Sequence, residues 1–337
     1  MRSQGAASRR EGATEVATPP KPWRRDKAGT MTHVLMLHRV MPNQPTAFGL
    51  PSCYRLRGTA LTPEEFSQVL ETGPFRTLDE VVDALVRGEP PPPGQVLTFD
   101  DGYLEWGEFV APRLKERGHR ATFFACPAFL AEAKEAHPVD VFYWLLDHAE
   151  RPRFECQLPD GALVQGSLES QEGKSTLVTG ALKRFVVRGE RAQVREVLRG
   201  LAQALHLEMP DGLAKTLYPS EREFAGLASA GHLLGGHGMS HQHLPFLSNA
   251  EAMLEISNAL AWVGRLSGGH PAPFAYPDGA FDSATEQRVA QAGATCALTC
   301  VPGAITRESA LFRLPREFVT PWHPRVAFPA VSREGAV

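Results

Sequence analysis

Two adjacent carboxylates close the apolar run Val96-Leu97-Thr98-Phe99-Asp100-Asp101-Gly102, and two imidazoles stand four residues apart in His237-Gly238-Met239-Ser240-His241. Side-by-side carboxylates repel each other, and partial burial makes them costly unless a partner compensates. A cation would do so. Two imidazoles and one carboxylate form a common divalent-metal ligand set that leaves positions open for water and substrate. One aspartate would then be a ligand, and the other could act as general base toward a water polarised by the ion. A third segment, Phe274-Ala275-Tyr276-Pro277-Asp278-Gly279, closes another short apolar run. Singly, each has an ordinary reading: Asp-Asp-Gly and Tyr-Pro-Asp-Gly as turns, the histidine pair as surface groups. Together, each at the end of a strand-like run, they point to metal-assisted hydrolysis.

The intervening pattern predicts the elements that bring these groups together. Thr32 to His38 reads as a buried strand delivering His38 and Arg39 at its end. Thr62-Pro63-Glu64-Glu65 is a capping box with proline in the first helical turn, and Thr77 caps a second helix that stops at Gly88. Strands around 95–99 and 121–125 flank a helix with Pro112 as a possible kink. After residue 210 the alternation resumes with strands near 232–237, 272–277 and 294–299, and a final run Leu311 to Val319. Alternating strands and helices predict an α/β fold with a parallel sheet or (β/α) barrel, whose C-terminal strand ends form the site. Between 137 and 210 the pattern breaks, which predicts an insertion or subdomain within a domain spanning 31–337.

The chain has 337 residues and a formal net charge of -3, which argues against a nucleic-acid partner. No apolar run reaches the roughly 18 residues of a membrane span. Cys53, Cys126, Cys156, Cys296 and Cys300 are scattered and odd in number, as expected for reduced thiols rather than a disulfide framework. Residues 1–30 are polar, rich in Gly, Ser and Arg, and lack a signal-like apolar core, so they read as a disordered tail. These features predict a cytoplasmic protein; the sequence leaves its oligomeric state open.

Thr98–Gly102 (TFDDG), His237–His241 (HGMSH) and Phe274–Gly279 (FAYPDG) resemble the first three motifs of the polysaccharide deacetylases, metal-dependent carbohydrate esterases with the NodB homology domain. The resemblance runs from about Met31 to Phe318, apart from the insertion. It implies a distorted (β/α)7-type barrel with Asp100 as general base and Asp101, His237 and His241 as metal ligands. Zinc is the implied ion, with cobalt or another divalent ion as alternatives. The backbone N–H of Tyr103 would be the oxyanion donor, and Tyr276 and Pro277 would shape the groove. Three departures stand out. Gly238 replaces the usual Ser or Thr, with loss of a hydrogen bond expected, and Gln242 replaces a usual proline. No arginine precedes Phe274 to orient the base, leaving Arg316 and Arg39 as candidates. The usual late Leu-x-His motif is absent as well. In a subset resembling a circular permutation the acid histidine sits after the first strand, where Met36-Leu37-His38-Arg39-Val40 offers His38; His323 is the weaker candidate. His243 reads as a surface residue, and the basic groups of Arg184 to Arg195 as a solvated helix face.

The resulting expectation is removal of an acetyl group, N-acetyl by preference, from a sugar or polysaccharide precursor by metal-activated water. The alternatives are hydrolysis of a non-sugar amide or cyclic imide, and a non-catalytic glycan-binding protein with a degenerate site.

Overall fold

The computed structural model describes residues 31–322, so the expected tail 1–30 and His323 lie outside the described residues. Its centre is a parallel sheet in which Thr32–Leu37 pairs with Gly94–Phe99, which pairs with Ala121–Ala125, then Leu233–Gly236, Phe274–Ala275 and Ala297–Leu298. On its other side Thr32–Leu37 pairs with Glu317–Phe318. A single parallel bridge, Leu298 to Leu314, joins the segment before Glu317 to the far edge of the sheet. The seven-strand path therefore closes on itself, and the expected distorted (β/α) barrel is the observed architecture. A short strand, Phe75–Arg76, pairs beside Gly94–Phe99 outside the ring.

The ring strands are short, and their side chains are nearly all buried. Ala121–Ala125 is buried at every position, and Gly94–Phe99 at every position but the first. Faces covered on both sides select apolar runs over alternation. Gly235 shows how tight the packing is: a Cβ there would lie 2.3 Å from the Phe124 ring, so only glycine admits that ring. The covering helices start where the sequence caps them. Thr62, Thr77, Ser220 and Ser248 each accept the third-residue N–H, while a glutamate returns the bond, closing four capping boxes. At Pro112 the chain changes from a wide π-helical turn, Trp106–Val110, to the α-helix Ala111–Glu116; proline cannot donate the bond that would continue one regular ladder.

Residues 137–210 form helix Pro138–Asp147, an antiparallel hairpin of Arg153–Gln157 with Leu163–Ser167, and helices Gln171–Thr179, Ala181–Arg188 and Arg191–Ala204. The Lys174 ammonium anchors this segment. Fully buried, it donates to Asp147, Thr46 and the Pro51 carbonyl at 2.6–2.8 Å. Among the described residues no helix is long and apolar enough to cross a membrane.

Candidate metal centre and active site

Asp100 and Asp101 follow the strand Gly94–Phe99, and His237 follows Leu233–Gly236. These strands are separated in the ring only by Ala121–Ala125, so parallel pairing places their C-terminal ends together. The Asp101 carboxylate lies 3.6 Å from His237 Nε2 and 3.4 Å from His241 Nε2. One ligand atom from each of the three falls within 4.8 Å of the others, a spacing that one ion can span. The donor set, one carboxylate and two imidazoles, suits zinc and similar divalent ions. His237 Nδ1 sits 2.8 Å from the Ala275 carbonyl, which fixes the tautomer that leaves Nε2 free to ligate.

The turns bearing these ligands are held in left-handed conformations that L-residues rarely adopt. Asp101 has φ +87°, His241 +54° and Asp278 +50°, three of the five non-glycine residues with positive φ among the described residues. Such strain persists where the surroundings over-determine it, commonly at functional sites. Glu255, from helix Asn249–Leu266, supplies much of that restraint. It accepts the Ser240 N–H at 2.9 Å and hydroxyl at 2.7 Å. Gly238 has φ +73°, and a Cβ there would lie 3.2 Å from Glu255 Oε2. Glycine at this position is therefore demanded by the backbone, and the loss expected there is offset by Glu255 acting on the same loop.

The two aspartates sit in different surroundings. The Asp100 side chain is 3% exposed and Asp101 26%. Arg316 crosses the barrel to meet Asp100 with two bonds of 2.7 Å, while its Nε donates to the Thr299 carbonyl at 2.9 Å. Burial opposes the charge on Asp100, but the Arg316 guanidinium outweighs it and holds the carboxyl below its ordinary range. Asp101 is held further below, where hydrogen bonds from His237 and His241 overcome burial. Of the two candidates for the orienting arginine, the structure selects Arg316. Arg39 instead pairs with Glu105 at 2.9 Å and lies over the rings of Tyr54 and Tyr103.

His38 lies against Phe318, with its Nδ1 buried and without a protein partner. Burial pushes its pKa down, while the charges of Asp101 and Asp100 oppose that shift. The Tyr103 hydroxyl donates to Asp140 at 3.1 Å; Asp140 also accepts from Tyr54 at 2.7 Å and from Tyr218. The segment after Asp101 is thereby tied to helix Pro138–Asp147.

Several sequence expectations need correction. The Tyr276 ring does not shape the groove: it is fully buried, stacked on Phe281, with its hydroxyl bonded to the Phe312 carbonyl. Pro277 is buried under the histidine loop, its Cγ 3.5 Å from where a Gly238 Cβ would stand. His243 is no surface residue, being 9% exposed and bonded to Asp278 at 2.8 Å. Nor is every basic group of Arg184 to Arg195 part of a solvated face, because Arg191 donates to the Ser240 carbonyl inside the histidine loop.

Sequence reasoning also missed residues that support the ligands. Asp278 lies 3.8 Å from His241 Nδ1 as well as beside His243. His137 caps helix Pro138–Asp147, its Nδ1 accepting the Val139 N–H, and its ring packs edge-on against His241 at 4.7 Å. For Asp278 a signal existed, since the carboxylate sits within the third motif. For His137 none did, because its role depends on how residues 137–210 fold back.

Residues 208–297 match the family model described as polysaccharide deacetylase. Chitin deacetylase 1 of Saccharomyces cerevisiae is 36% identical over 88 residues, which amount to 26% of this chain and 28% of that relative. Among solved structures, the Streptococcus pyogenes deacetylase PplD in complex with acetate aligns with a TM-score of 0.53 at 14% identity, over 86% of this chain and 93% of that one. IcaB from Ammonifex degensii gives 0.53 at 16% identity, over 88% and 94%. These structural likenesses speak for the fold.

Proposed function

We propose that the chain is a polysaccharide deacetylase, as the match of residues 208–297 to that family model supports, and that it hydrolyses an acetyl group, N-linked by preference, from a sugar residue of a carbohydrate substrate. The observation that carries this reading is the convergence of Asp101, His237 and His241 beside a second carboxylate, Asp100, held ionised by Arg316. A divalent cation, zinc for this donor set, would be held by the three ligands and would supply Lewis-acid polarisation of water and of the acetyl carbonyl.

The protein's own groups account for the proton movements. Asp100, fixed in orientation by Arg316, takes a proton from the attacking water as its oxygen bonds to the acetyl carbon. The Tyr103 N–H donates to the carbonyl oxygen as that oxygen gains charge, and the Tyr103–Asp140 bond steadies the donor. As the C–N bond breaks, His38 gives a proton to the departing amine, and acetate remains. Burial lowers the pKa of His38 while the charges of Asp101 and Asp100 oppose that fall, so the proton it gives is held weakly enough to pass to the amine.

The test is acetate and free-amine release from N-acetylglucosamine oligomers by zinc-loaded protein, with Asp100→Asn as control. Asp100→Asn is expected to retain its zinc and lose turnover by about 10²–10⁴-fold. Hydrolysis of cyclic amides alone, with acetylated sugars untouched, would overturn the sugar reading.

A further inference from the structure

The loop from His237 to His241 is held by its peptide groups, and the ties come from several parts of the chain. The His237 N–H donates to the Ala125 carbonyl at 3.3 Å, and the Cys126 thiol donates to the His237 carbonyl at 3.0 Å. The Ala128 N–H donates to the Met239 carbonyl at 2.9 Å, and Glu255 accepts the Ser240 N–H at the same distance. The Ser240 carbonyl is served from residues 137–210, by Arg191 at the start of helix Arg191–Ala204. The Arg191 guanidinium also lies 5.4 Å from the Phe129 ring. Phe129 packs edge-on against His137, and His137 against His241.

The Ser240 carbonyl is one end of the planar peptide unit whose other end is the His241 N–H. Fixing the carbonyl therefore fixes the plane from which His241 turns off at φ +54°. A left-handed φ is unfavourable for an L-residue, so without restraint this peptide would rotate toward negative φ. Rotation would swing the carbonyl away from Arg191. It would also turn the His241 imidazole, now 3.4 Å from Asp101, off the position the three ligands share. A guanidinium donating to a carbonyl makes a charge-assisted bond, which opposes that relaxation.

We propose that Arg191 is a positioning residue for the metal centre: by holding the Ser240–His241 peptide in its strained orientation, it keeps His241 aimed at the ion. Residues 137–210 thereby become part of what sets metal affinity. Arg191 itself touches neither ion nor substrate. The proposal rests on Asp101, His237 and His241 being the ligand set and is independent of which bond is hydrolysed. By reciprocity, zinc favours the docked Arg191 as much as the docked Arg191 favours zinc.

The test is the zinc affinity of the full chain, measured against a competing chelator at fixed pH, which needs no turnover. Arg191→Met is expected to weaken zinc binding by about 10–100-fold, the range typical of outer-sphere partners. Arg191→Lys keeps a charged donor and should recover part of that loss. Arg195→Met, on the same helix but paired with exposed Glu135 at 2.8 Å, should leave affinity unchanged. Amide exchange on wild type adds a readout that needs no variant. Zinc should slow exchange in the first turns of helix Arg191–Ala204 as well as at 237–241. Unchanged affinity in Arg191→Met overturns the proposal, and so does an equal loss in Arg195→Met, which would mean a loosened helix. Protection by zinc confined to 237–241 overturns it too. Absence of zinc binding by wild type removes the ligand set and this proposal together. Arg191-dependent zinc binding without acetate release from any sugar leaves the proposal standing and sinks the deacetylase reading alone.

Discussion

On the floor of the site Asp100 receives two bonds of 2.7 Å from Arg316, and Glu255 takes two donors from Ser240. On the wall beside it, formed by 137–210, His137 meets His241 edge-on at 4.7 Å and Arg191 donates to the Ser240 carbonyl. The floor stands on ring strands whose side chains are buried and whose register is set by neighbours on both sides. The wall stands on a hairpin and helices tied to the rest of the chain by contacts such as those of Lys174 with Thr46 and the Pro51 carbonyl. A floor whose carboxylates are paired preorganises charge for one reaction. The wall touches the histidine loop through His137 and Arg191. Variants of the wall are therefore expected to disturb the site less than variants of the floor.

The largest effect should come from the floor. Asp101→Ala removes one of three ligands, so zinc affinity should fall by more than the roughly 10–100-fold typical of outer-sphere partners. Metal content after dialysis reads this directly, and retention of full zinc would break the assignment. Next, His38→Ala should slow hydrolysis of N-acetyl substrates by about 10²–10⁴-fold while leaving metal content intact. An activated O-acetyl ester, whose leaving group needs little protonation, should be spared. Equal loss on both substrates would move the acid elsewhere.

Arg316→Met leaves a buried carboxylate without its partner and should cost about 3–5 kcal/mol in urea unfolding. The pH dependence sharpens the point. The folded pKa of Asp100 is depressed, so its contribution is present above the unfolded carboxylate value of about 3.9 and is lost as pH falls through the lower folded value. The variant should lose that acid-side slope, and an identical slope would count against the Arg316 account.

Metal and proton compete at His241. Burial opposes its charge, but the Asp101 hydrogen bond and the Asp278 charge raise it to about 9, so it is protonated at pH 7 before zinc arrives. In the metal-free protein this stabilisation is complete below about 6.5, the unfolded imidazole value, and disappears as pH rises through about 9. Zinc binding at pH 7 should then expel about one proton. Calorimetry in two buffers of different ionisation heat measures it, and zero release would contradict the raised value.

The smallest change is Gly238→Ser, which restores the residue type usual at that motif position. With φ at +73° and Glu255 Oε2 close by, it should destabilise by about 1–2 kcal/mol. A higher melting temperature would show that the missing hydroxyl mattered more than the backbone.

The sequence by itself determined the strand-and-helix alternation, the capped helix starts and the residue types of the metal set, because these are written in local spacing: apolar runs, Thr or Ser before glutamate, Asp-Asp-Gly, His-x-x-x-His. It also showed Asp278 without its task. Only the tertiary structure chose Arg316 over Arg39, separated by 277 positions in the chain (316 − 39), because which guanidinium reaches Asp100 depends on the closure of the ring through Leu314. Closure likewise buried Tyr276 and turned His243 inward. The fold-back of residues 137–210 set His137 and Arg191 beside the histidine loop, and no local pattern encodes that. Short-range physics fixes what each segment can be, whereas contacts between distant segments decide which side chains share one charge environment.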